Sequence, residues 1–162
     1  MILCLCILLA LYFGIALYGS FRGGLDEFYS TLKTESSPDL MRDVLLPAIE
    51  EVESGGDSSA VGADGEVGIL QIRPIMVEEV NRILGFSEYS DKDRLDPTAS
   101  RQMFIIYSMH WATHWEDNSL EGIARRWNGG PRGHLKKATE GYWDKVRART
   151  WTESAKTQQP AG

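Results

Sequence analysis

The sequence predicts a mainly α domain, and three observations carry that expectation. Apolar residues recur three and four apart through most of residues 38–148, the spacing of one buried helix face. Pro, Gly, Ser and Asp stand where such runs should begin and end. No alternating apolar and polar series is long enough for a sheet, so at most a small hairpin is expected near residues 60–72.

The first helix starts at Pro38 with Ser37 as its cap and carries Leu45, Ile49 and Val52 on one stripe. Pro47 interrupts it, because proline has no N–H to donate and its ring crowds the preceding turn. Ser54-Gly55-Gly56 ends it, and residues 57–68 read as a polar, Gly-rich loop. Gly68-Ile-Leu-Gln-Ile-Arg leads to Pro74, from which residues 75–84 read as a helix stopped by Gly85. Asp96-Pro97 opens a long helix to about Trp115, with Met103, Phe104, Tyr107 and Trp111 on one face. Ser119 to Trp127 is a shorter helix ended by Asn128-Gly129-Gly130-Pro131, and Thr139 caps a last one carrying Tyr142, Trp143 and Val146. These elements set one domain at residues 37–150, after a linker at 19–36 and before a disordered tail at 151–162.

A net charge of −6 argues against a general nucleic-acid binder, which needs a basic excess for phosphate contacts. Residues 1–18 are almost continuously apolar and hold no Lys, Arg, Asp or Glu, so they read as a signal peptide or a membrane anchor. Either brings the chain to a membrane and out of the cytoplasm, to the periplasm or cell envelope. Both cysteines, Cys4 and Cys6, lie in this segment, which leaves the domain without a disulfide or a Cys-based metal site.

Glu53 is the candidate acid. It follows Val52 at the edge of the apolar stripe, where partial burial raises a carboxyl pKa and keeps a proton available for donation. Glu66 lies in the loop before Gly68 and reads either as a second carboxylate on the same cleft or as a hydrogen-bond partner that orders the loop. Asp57 and Asp64 are weaker candidates. Gln71 and Asn128 carry amides able to donate to and accept from sugar groups, although Asn128 before two glycines also suits a plain helix end. His110 and His114 have a metal-binding spacing, but Trp111 stands where a zinc-protease helix has Glu, and packed or surface histidines fit better.

Four ordered elements resemble the lytic transglycosylases and goose-type lysozymes, which cleave the glycan strands of peptidoglycan. Glu53-Ser54-Gly55-Gly56 is similar to their catalytic Glu-Ser element, and Gly65-Glu-Val-Gly-Ile-Leu-Gln-Ile to their Gly-x-x-Gly element, with Pro74 following. Ala124-Arg-Arg-Trp-Asn-Gly-Gly-Pro resembles their Ala-x-x-Tyr-Asn element, and Thr139-Glu-Gly-Tyr-Trp-Asp-Lys-Val their closing helix. The resemblance implies a lysozyme-like fold and a lytic transglycosylase in which Glu53 serves first as acid and then as base, closing a 1,6-anhydro ring. It also implies substrate contacts from Ser54, Gln71, Trp127 and Asn128, and a Tyr142 hydroxyl that orients Glu53. Trp127 departs from the family tyrosine: it can stack on a sugar but offers no phenol. No cofactor or metal is implied. The rivals are a hydrolytic muramidase on the same fold and a noncatalytic peptidoglycan-binding component.

Overall fold

The structure, a computed structural model, describes residues 40–157. The apolar run 1–18, the linker 19–36, the Ser37 cap and residues 158–162 lie outside that range. Among the described residues there are five α-helices: α1 Leu46–Ser54, α2 Pro74–Leu84, α3 Pro97–Trp115, α4 Leu120–Gly129 and α5 Glu140–Thr157. The described residues hold no strand, only single antiparallel bridges of Val67 with Val61 and with Ile72. A mainly α domain with a vestigial hairpin at 60–72 is therefore what forms.

Pro47 leaves a specific mark. Ahead of α1, residues Met41–Leu45 form a π-turn, and the Leu46 N–H donates to the Met41 carbonyl. That wider turn admits a proline at the start of the regular α stretch without a ring-to-carbonyl collision. The other boundaries follow their caps. Gly85 ends α2 in the left-handed region (φ 80°), the Asp96 carboxylate accepts from the Thr98 and Ala99 N–H groups, and Ser119 accepts from Gly122.

Two expectations fail at the C-terminal end. Thr139 does not cap α5; it closes a short 3-10 turn, and its buried hydroxyl sits against the Gly133 and Lys136 carbonyls (2.7 and 2.8 Å) while accepting from Arg125 Nε (3.0 Å). The stretch from residue 151, expected to be disordered, is helical as far as Thr157, since residues 151–157 contain no Gly or Pro to break α5.

The core gathers Leu45, Ile49, Leu70, Ile72, Val80, Met103, Phe104, Tyr107 and Val146, all essentially inaccessible to solvent. α1 packs on α5, α5 on α4, α4 on α3 and α3 on α2, so the core is shared along an open series of helix contacts. Trp111, expected on the buried face of α3, is only partly buried. Among the described residues no helix is long and apolar enough to cross a membrane.

Candidate active site

α1 stops one residue after Glu53. Gly55, in the left-handed region (φ 66°), donates to the Glu51 carbonyl (3.1 Å), the bond of an αL closure, and Gly56 donates to that of Glu50 (3.3 Å). The abrupt end leaves the Glu53 carboxyl on the lining of a cavity of about 450 Å³. From α5, the Tyr142 hydroxyl donates to Glu53 Oε1 at 2.7 Å, and the Trp127 side chain from α4 is a second influence that lowers the carboxyl pKa.

Burial is the largest influence on Glu53 and pushes its pKa up; the Tyr142 hydrogen bond and the Trp127 side chain pull it down, the negative charge of Glu66 pushes it up again, and the balance is a raised value. The Tyr142 phenol is itself driven far up, first by burial and then by the Glu53 charge, so it remains a donor at any physiological pH. The Tyr142 hydroxyl therefore holds a carboxyl that retains its proton more strongly than a solvated glutamate.

The loop after α1 is folded by its own backbone. Gly62 donates to the Glu66 carbonyl (2.8 Å), Gly68 to that of Ala60 (2.8 Å) and Ile72 to that of Val67 (2.9 Å). Gly68 is required twice over: its φ is 78°, and a Cβ there would overlap the Arg94 carbonyl oxygen. Arg94 in turn locks the loop. Its side chain, 10% exposed, donates through Nη1 to the Gly65 and Ile72 carbonyls (2.9 Å each) and pairs with Asp91 at 2.8 Å.

Glu66 lines the same cavity as Glu53 and also orders the loop, so both roles open to it on sequence have contacts to match. Its Oε2 accepts from the Asp64 N–H (3.1 Å) and lies 3.7 Å from Arg73 Nε, while its side chain covers Gly62, where a Cβ would collide with it. Gln71 also lines the cavity. It adopts a positive φ of 47°, and its amide nitrogen donates to Gly68 (2.9 Å) and Ala60 (3.3 Å), which fixes the turn.

The remaining candidates separate. Asn128 is exposed on the cavity at the end of α4. Trp127 reaches the cavity but is only 7% exposed, in T-shaped contact with Phe104 (5.0 Å) and Tyr107 (5.9 Å), so little of its ring is offered for stacking. Ser54 turns away from the expected substrate contact: its hydroxyl is held by the Ile69 carbonyl (2.8 Å), which ties the end of α1 to the loop. Asp57 caps a local turn through Ser59, and Asp64 pairs with Arg73 at 3.3 Å. His110 and His114 stand edge-on to Trp111 (4.9 and 5.2 Å), and among the described residues no group of three or more His, Cys, Asp or Glu is placed to hold a metal ion.

Sequence reasoning missed Arg94, Arg73, Ile75 and Met76. The last three line the cavity, and the signal for them was only their place just after Gln71. Arg94 had a fainter signal, in the Ser90-x-x-Asp93 capping box that opens its 3-10 turn.

Residues 32–148 match the family model described as Transglycosylase SLT domain. Among solved structures, the chain is similar to one in the crystal structure of Aeromonas hydrophila PliI in complex with Meretrix lusoria lysozyme. The identity is 25% and the TM-score 0.57, over 64% of this chain and 86% of that one. Among curated proteins none matches significantly.

Proposed function

The chain belongs to the transglycosylase SLT domain family, and from that premise we propose that it cleaves the β-1,4 bond between N-acetylmuramic acid and N-acetylglucosamine in peptidoglycan, leaving 1,6-anhydro ends. The observation that carries this reading is the 2.7 Å hydrogen bond from Tyr142 to Glu53, a carboxyl that lines the cavity. A carboxyl with a raised pKa suits a general acid, and a fixed donor suits one that must change roles within a single turnover.

In the proposed reaction Glu53 gives its proton to the bridging oxygen as the C1–O bond breaks, and the departing sugar leaves as an alcohol. The substrate's own N-acetyl oxygen stabilises the positive charge at C1. Glu53, now ionised, takes the proton of the C6 hydroxyl while O6 bonds to C1. One carboxyl is thereby restored and no water is consumed. Asn128, Gln71 and the edge of Trp127 line the cavity and are assigned to sugar contacts, and Tyr142 to orientation of Glu53.

A second reading has one observation in its favour: Glu66 shares the cavity and its charge reaches Glu53, the arrangement a hydrolytic muramidase needs for water activation. Digestion of purified peptidoglycan followed by product mass analysis tests the choice. Anhydro ends, lighter by one water than reducing ends, support the transglycosylase; reducing ends overturn it. A peptidoglycan substrate implies an extracytoplasmic location, for which the apolar segment 1–18 supplies an export signal or anchor. Fractionation that recovers the full chain in the cytoplasm would overturn that assignment.

A further inference from the structure

We propose that Arg73, with Ile75 and Met76, forms a recognition site for the peptide stem of the glycan, so that the enzyme binds stem-bearing strands in preference to bare ones. This inference rests on the peptidoglycan reading of the cavity. A bare glycan offers hydroxyl and acetamido groups, which amides and aromatic edges satisfy. The lactyl ether of muramic acid and its attached peptide add what a bare glycan lacks, namely small methyl-bearing units and free carboxylates.

The cavity contains matching groups that the sugar reading leaves unused. Arg73 is the only Lys or Arg among its described lining residues. Its side chain is 53% exposed, and both of its ion pairs are long: Nη2 to Asp64 at 3.3 Å and Nε to Glu66 at 3.7 Å. Exposed pairs of that kind contribute little, so exchanging Asp64 for a ligand carboxylate costs little. A guanidinium also has the planar fork that fits a carboxylate with two parallel bonds.

Beside it Ile75 is 66% exposed and Met76 partly buried, both on the same cavity. An exposed isoleucine alone is unremarkable on a protein surface. Adjoining a lone cation on a cavity otherwise supplied with Glu53, Glu66 and amides, it offers methyl-sized apolar contact at the place where the carboxylate would dock. Charge complementarity selects the occupant. A chain of net charge −6 repels an anionic strand, and Arg73 is the group of this cavity able to reverse that locally.

Binding and cleavage are measured separately. The binding arm uses the Glu53→Gln protein and fluorescently labelled soluble strands of three kinds: stem-bearing, stripped of stems by an amidase with the lactyl carboxylates so exposed converted to amides, and stem-bearing with the carboxylates converted to amides. The expected result is a preference of about tenfold for the first over the other two, weakening with salt. Adding Arg73→Gln should collapse it, and adding Ile75→Ala should reduce it less, with circular dichroism confirming that each variant is folded. Equal affinity for stem-bearing and stripped strands, or an equal loss on all three strands with Arg73→Gln, overturns the inference. Failure of the unmutated chain to cleave any strand overturns the enzymatic reading instead, and leaves the binding comparison to decide this one.

Discussion

Tyr142 and Glu53 lie 89 positions apart in the chain and meet at 2.7 Å, hydroxyl to carboxyl, with Glu53 on the lining of the cavity. The packing of α5 on α1 brings them together, so the acid and its orienting donor depend on the core contacts of Ile49 and Val146 beneath. The consequences of that contact are measurable.

Glu53→Gln should remain folded and lose cleavage. The amide matches the carboxyl in shape and still accepts from Tyr142, but it has no acidic proton to give. General acid–base catalysis contributes about two to four powers of ten, so the turbidity of wall preparations should fall at least about a hundredfold more slowly. Substantial clearing by a folded variant would remove Glu53 from its assigned role.

The same substitution should raise stability at neutral pH. The folded-state pKa of Glu53 lies above its unfolded value, mainly through burial. The folded state therefore binds the proton more tightly, and its stabilising effect is complete below the ordinary carboxylate range. It is lost as pH rises through the raised folded value, where a buried charge must form. Glu53→Gln escapes that cost, so its Tm should exceed that of the wild type at pH 7 and the gap should shrink as pH falls toward 4. A gap that widens on acidification contradicts a raised pKa.

Tyr142→Phe keeps the ring and removes the donor. Because the hydrogen bond favours the charged form of Glu53, its loss should drive the carboxyl pKa higher still. The alkaline limb of the pH–rate profile, where the acid loses its proton, should move to higher pH, and kcat should drop because the carboxyl is less well held. An unchanged profile together with an unchanged rate would mean that Tyr142 only packs.

Much of this arrangement is legible in the sequence because helix ends are local chemistry. Asp96-Pro97, Ser119, Gly85 and Gly55 mark their boundaries through groups that must bond or adopt positive φ within a few residues. Glu53 and Tyr142 were reached because each sits in a motif at such a boundary. What was illegible depends on distant partners. The burial of Trp127 between Phe104 and Tyr107 requires knowing how α3 meets α4. The Ser54 hydroxyl turns to Ile69 because the loop folds back over α1, and the Thr139 hydroxyl is claimed by Gly133 and Arg125 before it can cap. Arg94 is the clearest case: an ordinary surface-type residue in sequence, it becomes the clamp of the loop after α1 only once residues 65–72 lie against it.

Arg94→Gln should therefore act on loop and cleft together. It leaves the Gly65 and Ile72 carbonyls without their guanidinium donor and Asp91 without its 2.8 Å partner. A hydrogen bond from a charged group contributes about 1.5–3 kcal/mol, so the unfolding free energy should fall by an amount of that order, read as a lower urea midpoint at unchanged m-value. Cleavage should weaken as well, since Glu66 and Gln71 lose the frame that holds them on the cavity. Arg94→Lys should rescue little, because an ammonium cannot span two carbonyls and a carboxylate in one plane. Full stability in both variants would show that the backbone bonds fold the loop unaided.

Glu66→Gln should shift the chemistry of Glu53 in the opposite direction from Tyr142→Phe. The Glu66 charge raises the Glu53 pKa, so replacing it with a neutral amide lowers that value and moves the alkaline limb to lower pH. The amide oxygen can still accept from the Asp64 N–H, whereas the pairing with Arg73 is lost, so the loop should keep its shape with some loss of stability. If Glu66 serves only as a charge and a loop bond, the rate falls partially at neutral pH, the profile moves as stated, and the product mass keeps its anhydro ends. A folded Glu66→Gln variant that stops a hydrolysis seen in the wild type would instead make Glu66 the residue that activates water, and the single-carboxylate mechanism would give way to that of a muramidase.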